Sequence, residues 1–182
     1  IVMRYFYGYN CTDLVLDTNG VGLGVYDFIT KDQRDPETGK VYKAMTCIND
    51  KDMAIRCNVR DANKVVWSVK ATAAFNNEIC VLLRNGIKNG KVNLLISEQE
   101  ADSVLKDTYK GYLKLTPTEQ VKLKMSYLQT TLTIYELIKL DHEVKNGNIK
   151  VMEVSGMRKD RYSSMAYSFW CASQLELKLK PK

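Results

Sequence analysis

The sequence has no apolar run approaching the ~18 residues that a membrane-spanning helix requires, and no signal-peptide pattern. Membrane insertion and secretion are therefore disfavoured. There is one histidine, His142, flanked by Asp141 and Glu143. A Ser-His-Asp or Cys-His mechanism needs partners that the sequence does not reveal, so His142 reads as a surface or capping residue near a helix end. The five cysteines, Cys11, Cys47, Cys57, Cys80 and Cys171, are odd in number, widely spaced and form no CxxC pair. That pattern excludes a disulfide scaffold or zinc ribbon and predicts reduced, mostly buried thiols in a cytosolic compartment. No internal repeat and no linker interrupts the 182 residues, so a single globular domain over 1–182 is expected. The chain opens on Ile1, in what reads as the end of an element, and is expected to be a piece of a longer protein.

Twenty-seven Lys and Arg face 21 Asp and Glu, a net charge of +6. Such an excess attracts polyanions, because neutralised phosphates release condensed counterions. An ordinary solvated basic surface accounts for the same count equally well.

Residues 5–10 read as a helix tail closing at a polar turn, and Leu14-Val15-Leu16 as a short buried strand with Asp17 at its carboxyl end. Gly20, Gly22 and Gly24 then lead into a helix around Val25–Ile29. Residues 31–43, centred on Asp35-Pro36-Glu37-Thr38-Gly39, predict a solvated loop. A second strand is expected over 65–70, a helix over 71–88, another short strand or extended piece over 92–96 and a helix over 97–107. Thr116-Pro117-Thr118-Glu119 announces another helix start. The spacing of Leu128, Leu132, Tyr135 and Ile138 carries that helix to about His142, with a stop near Asn146-Gly147. A strand over 149–154 precedes a final helix burying Met165, Ala166, Phe169 and Ala172. Strands and helices alternate, and the fold class is α/β.

Two acids hold chemically useful places. Asp17 follows an apolar strand, and Asp160 opens a helix that follows another. Carboxylates held at a sheet edge can converge on Mg²⁺ or Mn²⁺. Cleavage of a phosphodiester by two such ions, about 4 Å apart, needs shared carboxylates and no histidine. Taken singly, each is more often structural than catalytic, Asp160 as a helix-start acid favoured by the dipole and Asp17 as a turn former. Arg158, Lys159 and Arg161 surround Asp160 although cations are mildly unfavourable at a helix start, which favours a role in holding phosphate. Lys88, Lys91, Lys122 and Lys124 could extend a basic track. Tyr162, beside the acid, is the aromatic best placed to stack on a base. The glycines follow GxGxG rather than the dinucleotide spacing GxGxxG, so a tight turn ranks above nucleotide binding.

The segment Leu14-Val15-Leu16-Asp17-Thr18-Asn19-Gly20-Val21-Gly22-Leu23-Gly24-Val25-Tyr26-Asp27 resembles the strand-Asp-x-Asn-Gly-x-Gly segment of the nuclease domain of phage terminase large subunits. Residues 157–167, Met-Arg-Lys-Asp-Arg-Tyr-Ser-Ser-Met-Ala-Tyr, resemble that family's Lys-Asp-Arg-Tyr-Ser-x-x-Ala-Tyr motif. Residues 69–76 and 83–90 resemble its middle region. The resemblance runs in order from Leu14 to Glu176.

It implies an RNase H-like mixed sheet flanked by helices and lacking its first strands here, and a divalent-metal endonuclease cutting concatemeric viral double-stranded DNA during packaging. It further implies Asp17 and Asp160 as catalytic ligands of two Mg²⁺ or Mn²⁺ ions, with Asn19 and Gly20 shaping the site and Arg158, Lys159 and Arg161 on the DNA. The packaging ATPase domain, the terminase small subunit and the portal protein belong to the same context, in the host cytoplasm. The family's first acid lies on an earlier strand, and no residue here matches it. Glu153 reads as an exposed strand carboxylate rather than a substitute. A non-catalytic DNA-binding or motor-docking module of the same shape is the alternative, ahead of a resolvase- or transposase-type nuclease.

Overall fold

The structure, a computed structural model, describes residues 1–154, 156 and 158–179. It is mixed α/β with a parallel sheet flanked by helices. The chain forms two compact units, one of Ile1–Phe75 with the chain from Tyr167 onward, the other of Asn76–Ala166.

In the first unit the order is α1 (Val2–Gly8), β1 (Leu14–Asp17), α2 (Val21–Ile29), a short hairpin of β2 (Gln33–Arg34) and β3 (Val41–Tyr42), β4 (Met45–Cys47), α3 (Lys51–Ile55) and β5 (Asn63–Val69). Strand β5 is central, with β1 and β4 parallel on either side. Strands of a parallel sheet are covered on both faces, which is why β5 reads Val-Val-Trp-Ser-Val and buries its last four residues in succession. Val66 joins Met3, Phe6, Tyr26, Ile29, Met45 and Met53 in the main core. Each such fully buried aliphatic side chain contributes ~1.5–3 kcal/mol. Trp67, pointing the other way along the pleat, meets the edge of Trp170 at 5.9 Å, and Phe75 meets Trp170 at 5.4 Å. The Trp67 indole N–H donates to Asp13 at 2.7 Å. Sequence periodicity missed β4 and α3, because three and five residues are too few to show a repeat.

The expected solvated loop over 31–43 is instead a hairpin docked on the fold. The Asp35 side chain is only 1% exposed and accepts two hydrogen bonds from the Arg4 guanidinium, at 2.9 and 3.1 Å, besides the amides of Glu37 and Thr38. Polar composition hid an ion pair whose carboxylate is buried and whose arginine is half exposed.

The second unit takes in most of α4 (Ala73–Lys88), then α5 (Glu98–Thr108), a 3₁₀ turn at Tyr112–Lys114, α6 (Pro117–Lys139), an antiparallel hairpin of β6 (Asp141–Lys145) and β7 (Asn148–Met152), and the start of α7 (Asp160–Leu179). Helices α5 and α6 both start on capping boxes, Ser97 with Glu100 and Thr116 with Glu119, and Pro117 occupies the first turn of α6. Residues 92–96 form neither strand nor helix and join no sheet. Helix α6 ends at Lys139, earlier than its apolar spacing predicts, and Asn146-Gly147 is a hairpin turn with φ of 50° and 76°, the geometry of a type I′ turn. His142 therefore sits exposed on a strand. Asp102 of α5 binds Lys106, Lys124 and the Tyr112 hydroxyl, and those partners hold its carboxyl far below the ordinary range. Lys124 is thus committed to α5. In α7 the buried residues are Tyr162, Ala166, Trp170 and Cys171; Met165 and Phe169 are half-buried and Ala172 is exposed. The five cysteines are free thiols, Cys47 and Cys171 buried and Cys11 exposed. No helix among the described residues is long and apolar enough to cross a membrane.

Burial alone would raise the Asp35 carboxyl, but the amides of Thr38 and Glu37 and the Arg4 guanidinium outweigh it, and it titrates below its ordinary value. A depressed folded pKa contributes stability above the unfolded value, near ~3.9, that is lost as pH falls through the folded one. Asp35→Asn is accordingly expected to be less stable than the parent in urea at pH 7, with the gap narrowing at pH 3. An equal gap at both pH values would show that the charge pairing contributes nothing.

Candidate functional site

Asp17 is the last residue of β1 and lies in register with Val69 of β5. Carboxyl ends of parallel strands are where α/β folds build sites. The next residue is fastened hard. The Thr18 amide donates to the Val69 carbonyl at 2.9 Å, and its buried hydroxyl lies 2.8 Å from Ser68 Oγ and donates to Val69 O at 3.2 Å. Beyond β4, which ends at Cys47, the Asn49 side chain stands in for a strand: its Nδ2 donates to Ser68 O and its Oδ1 accepts from Ser68 N, both at 2.8 Å. Thr18, Asn49 and Ser68 are site-forming residues that no motif reading singled out. A signal was available only in the polar pair Thr18 and Ser68 following apolar strand runs.

The turn after Asp17 needs its glycines for two separate reasons. Gly20, with φ 56° and ψ −120°, occupies a conformation that side chains exclude, and it caps α2. Gly22 lies against the strand end, where a Cβ would fall 1.6 Å from the Asp17 carbonyl oxygen. Helix α2 thus begins at Val21, earlier than expected, with Gly22 and Gly24 inside it. One Asp17 carboxylate oxygen accepts from the Asn19 amide at 3.0 Å. Asn19 therefore contributes its backbone to the turn, and its side chain is exposed. Tyr167 of α7 belongs to the same unit; burial, and secondarily the charge of Asp17, push its phenol up. The electrostatic influence of Asp17 on Tyr167 was invisible in sequence because 150 residues separate the two.

Asp160 lies in the second unit, as the first residue of α7, with its side chain 74% exposed. It borders an open pocket of about 550 Å³ lined also by Leu94, Gln129, Thr133, Arg161 and Ser164. The three neighbouring cations divide. Arg158 is exposed and approaches Asp160 only to 3.9 Å. Lys159 Nζ donates to the Val151 carbonyl at 3.0 Å, and its amide meets Glu153 at 3.4 Å, so it ties α7 to β7. Arg161 leans on Glu136 of α6 and Gln129, each at 3.4 Å. Glu136, only 3% exposed, also accepts from the Tyr162 amide at 2.7 Å, capping the helix with a carboxylate. Glu136 escaped the sequence reading, although a glutamate one turn from Leu132 on an apolar face marks it. Tyr162 is buried, and is a packing residue rather than an open stacking platform.

The two acids thus belong to different units. Among the described residues no group of three His, Cys, Asp or Glu is placed to hold a metal ion. The donor chemistry, hard carboxylate oxygens, suits Mg²⁺ or Mn²⁺, but the described side chains alone do not complete a site for a pair of ions. Comparisons with protein-family models, curated proteins and solved structures find no match to this chain.

The turn geometry makes a sharp expectation. Gly22→Ala places a methyl group where backbone already stands, so its cost should reach or exceed the top of the ~1–3 kcal/mol range of overpacking. Gly24→Ala, which meets nothing within 4 Å, is the matched control. Urea midpoints that fall equally for both would contradict the contact.

Proposed function

We propose that this chain is part of a divalent-metal endonuclease of the terminase type, with an RNase H-like fold, that cuts double-stranded viral DNA during genome packaging. The supporting observation is the placement of Asp17: a carboxylate at the carboxyl end of a parallel strand, one oxygen fixed by the Asn19 amide, on a turn that admits no side chain at Gly22. Family-like motifs around both Asp17 and Asp160 supply the rest of the argument. In this reading Asp17 and Asp160 would each be a ligand of Mg²⁺ or Mn²⁺. The metal, when bound, supplies an activated water and charge on the leaving oxygen. Arg158 would meet phosphate, Asn19 and Gly20 shape the approach to Asp17, and Arg161 and Lys159 position the start of α7. The terminase small subunit and portal protein would be partners of the complete motor.

A non-catalytic DNA-binding or docking module is the second reading, favoured by the net charge of +6, which attracts polyanions without requiring catalysis. Plasmid cleavage by the full-length protein separates the two. Cleavage that requires Mg²⁺ or Mn²⁺ and falls by on the order of 10²-fold or more in Asp17→Ala and in Asp160→Ala is expected, since even the outer-shell partners of a metal are worth ~10–100-fold. Full activity in either variant would sink the assignment, and DNA binding without any cutting would select the second reading.

A further inference from the structure

Beyond the acids, the second unit holds a pocket of about 420 Å³ between the end of α6 and the start of α7. Its polar lining is Lys139, Arg158 and Arg161 against a single carboxylate, Glu136, with Leu132 and Tyr135 as apolar wall. Three cations facing one anion leave an excess of positive charge in a concave place, where field lines concentrate. Glu136 is already occupied by the Tyr162 amide at 2.7 Å and by Arg161 at 3.4 Å. Lys139 is exposed and has no ion-pair partner among the described residues.

Arg161 is under-used. A guanidinium offers five N–H donors. Here two make long contacts of 3.4 Å, and the buried Nε has no hydrogen-bond partner. A buried donor without an acceptor is costly, and a planar guanidinium matches the oxygens of a phosphate in pairs. Arg158 is equally available, since its one ion pair is a loose 3.9 Å contact between two exposed side chains. Lys159 is excluded from the set by its bond to the Val151 carbonyl.

We propose that this pocket is an anion subsite that takes one phosphate group, held by Lys139 and Arg158 at its rim and by Arg161. Arg161 lines this pocket and also the one that Asp160 borders, so a phosphate held here stands one side chain away from the acid. That the phosphate belongs to a DNA backbone rests on the nuclease reading above. The anion subsite itself does not.

The test uses the whole chain without metal, in a chelator, and follows its backbone amides by NMR while inorganic phosphate or a short DNA duplex is added. Glu136 and Tyr162 amides are expected to shift with the duplex. Lys139→Glu and Arg158→Glu should each weaken duplex binding by roughly tenfold, and Lys139→Glu should lower the slope of log K against log salt by about one. Lys110→Glu, an equal charge change at an exposed lysine outside the pocket, should alter affinity by less than about threefold under the same counterion argument. Arg161 is left in place because its loss would strip Glu136. Shifts with inorganic phosphate alone would support the subsite with free phosphate as its ligand. Silence at these amides in both titrations, or an equal loss in Lys110→Glu and Lys139→Glu, would overturn it. Duplex binding at the pocket by a full-length protein that never cuts would sink the nuclease reading and leave the subsite standing.

Discussion

The hydroxyl of Tyr26 is the tie on which the first unit depends. The ring is fully buried at the centre of the core, and its oxygen donates to the Met53 carbonyl at 2.9 Å and accepts from the Cys47 amide at 3.1 Å. A buried hydroxyl without partners would be costly, whereas one that both donates and accepts fixes three segments at once. Those segments are α2, α3 and the end of β4. Helix α2 is the one that matters for the acid, because it starts from the turn that carries Asp17. The position of that carboxylate is therefore coupled to the core through the helix that follows it, as well as through the strand that precedes it.

Strong local patterns of apolar spacing and capping are where sequence and structure agree, the early end of α6 apart. Residues 14–17 and 63–69 are strands because apolar, β-branched and aromatic side chains cluster there between turn formers, and α4, α5 and the start of α6 follow from spacing and caps. Asp17 at a strand end and Asp160 at a helix start were legible for the same reason. What escaped was non-local. Asp35 looks like loop chemistry until Arg4 reaches it from 31 residues away, and Glu136 looks like a helix charge until Tyr162 donates to it. Asn146-Gly147 was misread because the same dipeptide stops helices and turns hairpins, and only the pairing of Lys145 with Asn148 distinguishes the two. The division into two units left no composition signal, since α4 and α7 each run across a boundary without a break in periodicity.

The charged residues around α7 show how a basic motif divides its labour. Read as a string, Arg158, Lys159 and Arg161 are three equal cations. In the fold, Lys159 holds a carbonyl of β7, Arg161 braces a buried carboxylate, and Arg158 stands in solvent. Surface ion pairs of the Arg158–Asp160 kind contribute little to stability. The buried contact at Glu136 belongs to a different class, because removing one partner strands a charge away from water. The start of α7 is thus organised by the buried carboxylate of Glu136 on α6 rather than by the exposed Asp160.

Both tryptophans of the chain, Trp67 and Trp170, lie in the first unit, edge to face with one another and with Lys178 above the Trp67 ring. Intrinsic indole emission is therefore a reporter of one half of the molecule. Melting of the unit that carries Asp160, which holds no tryptophan, would register in the far-ultraviolet dichroism more than in a fluorescence trace, so the two probes together are needed to test for a single transition.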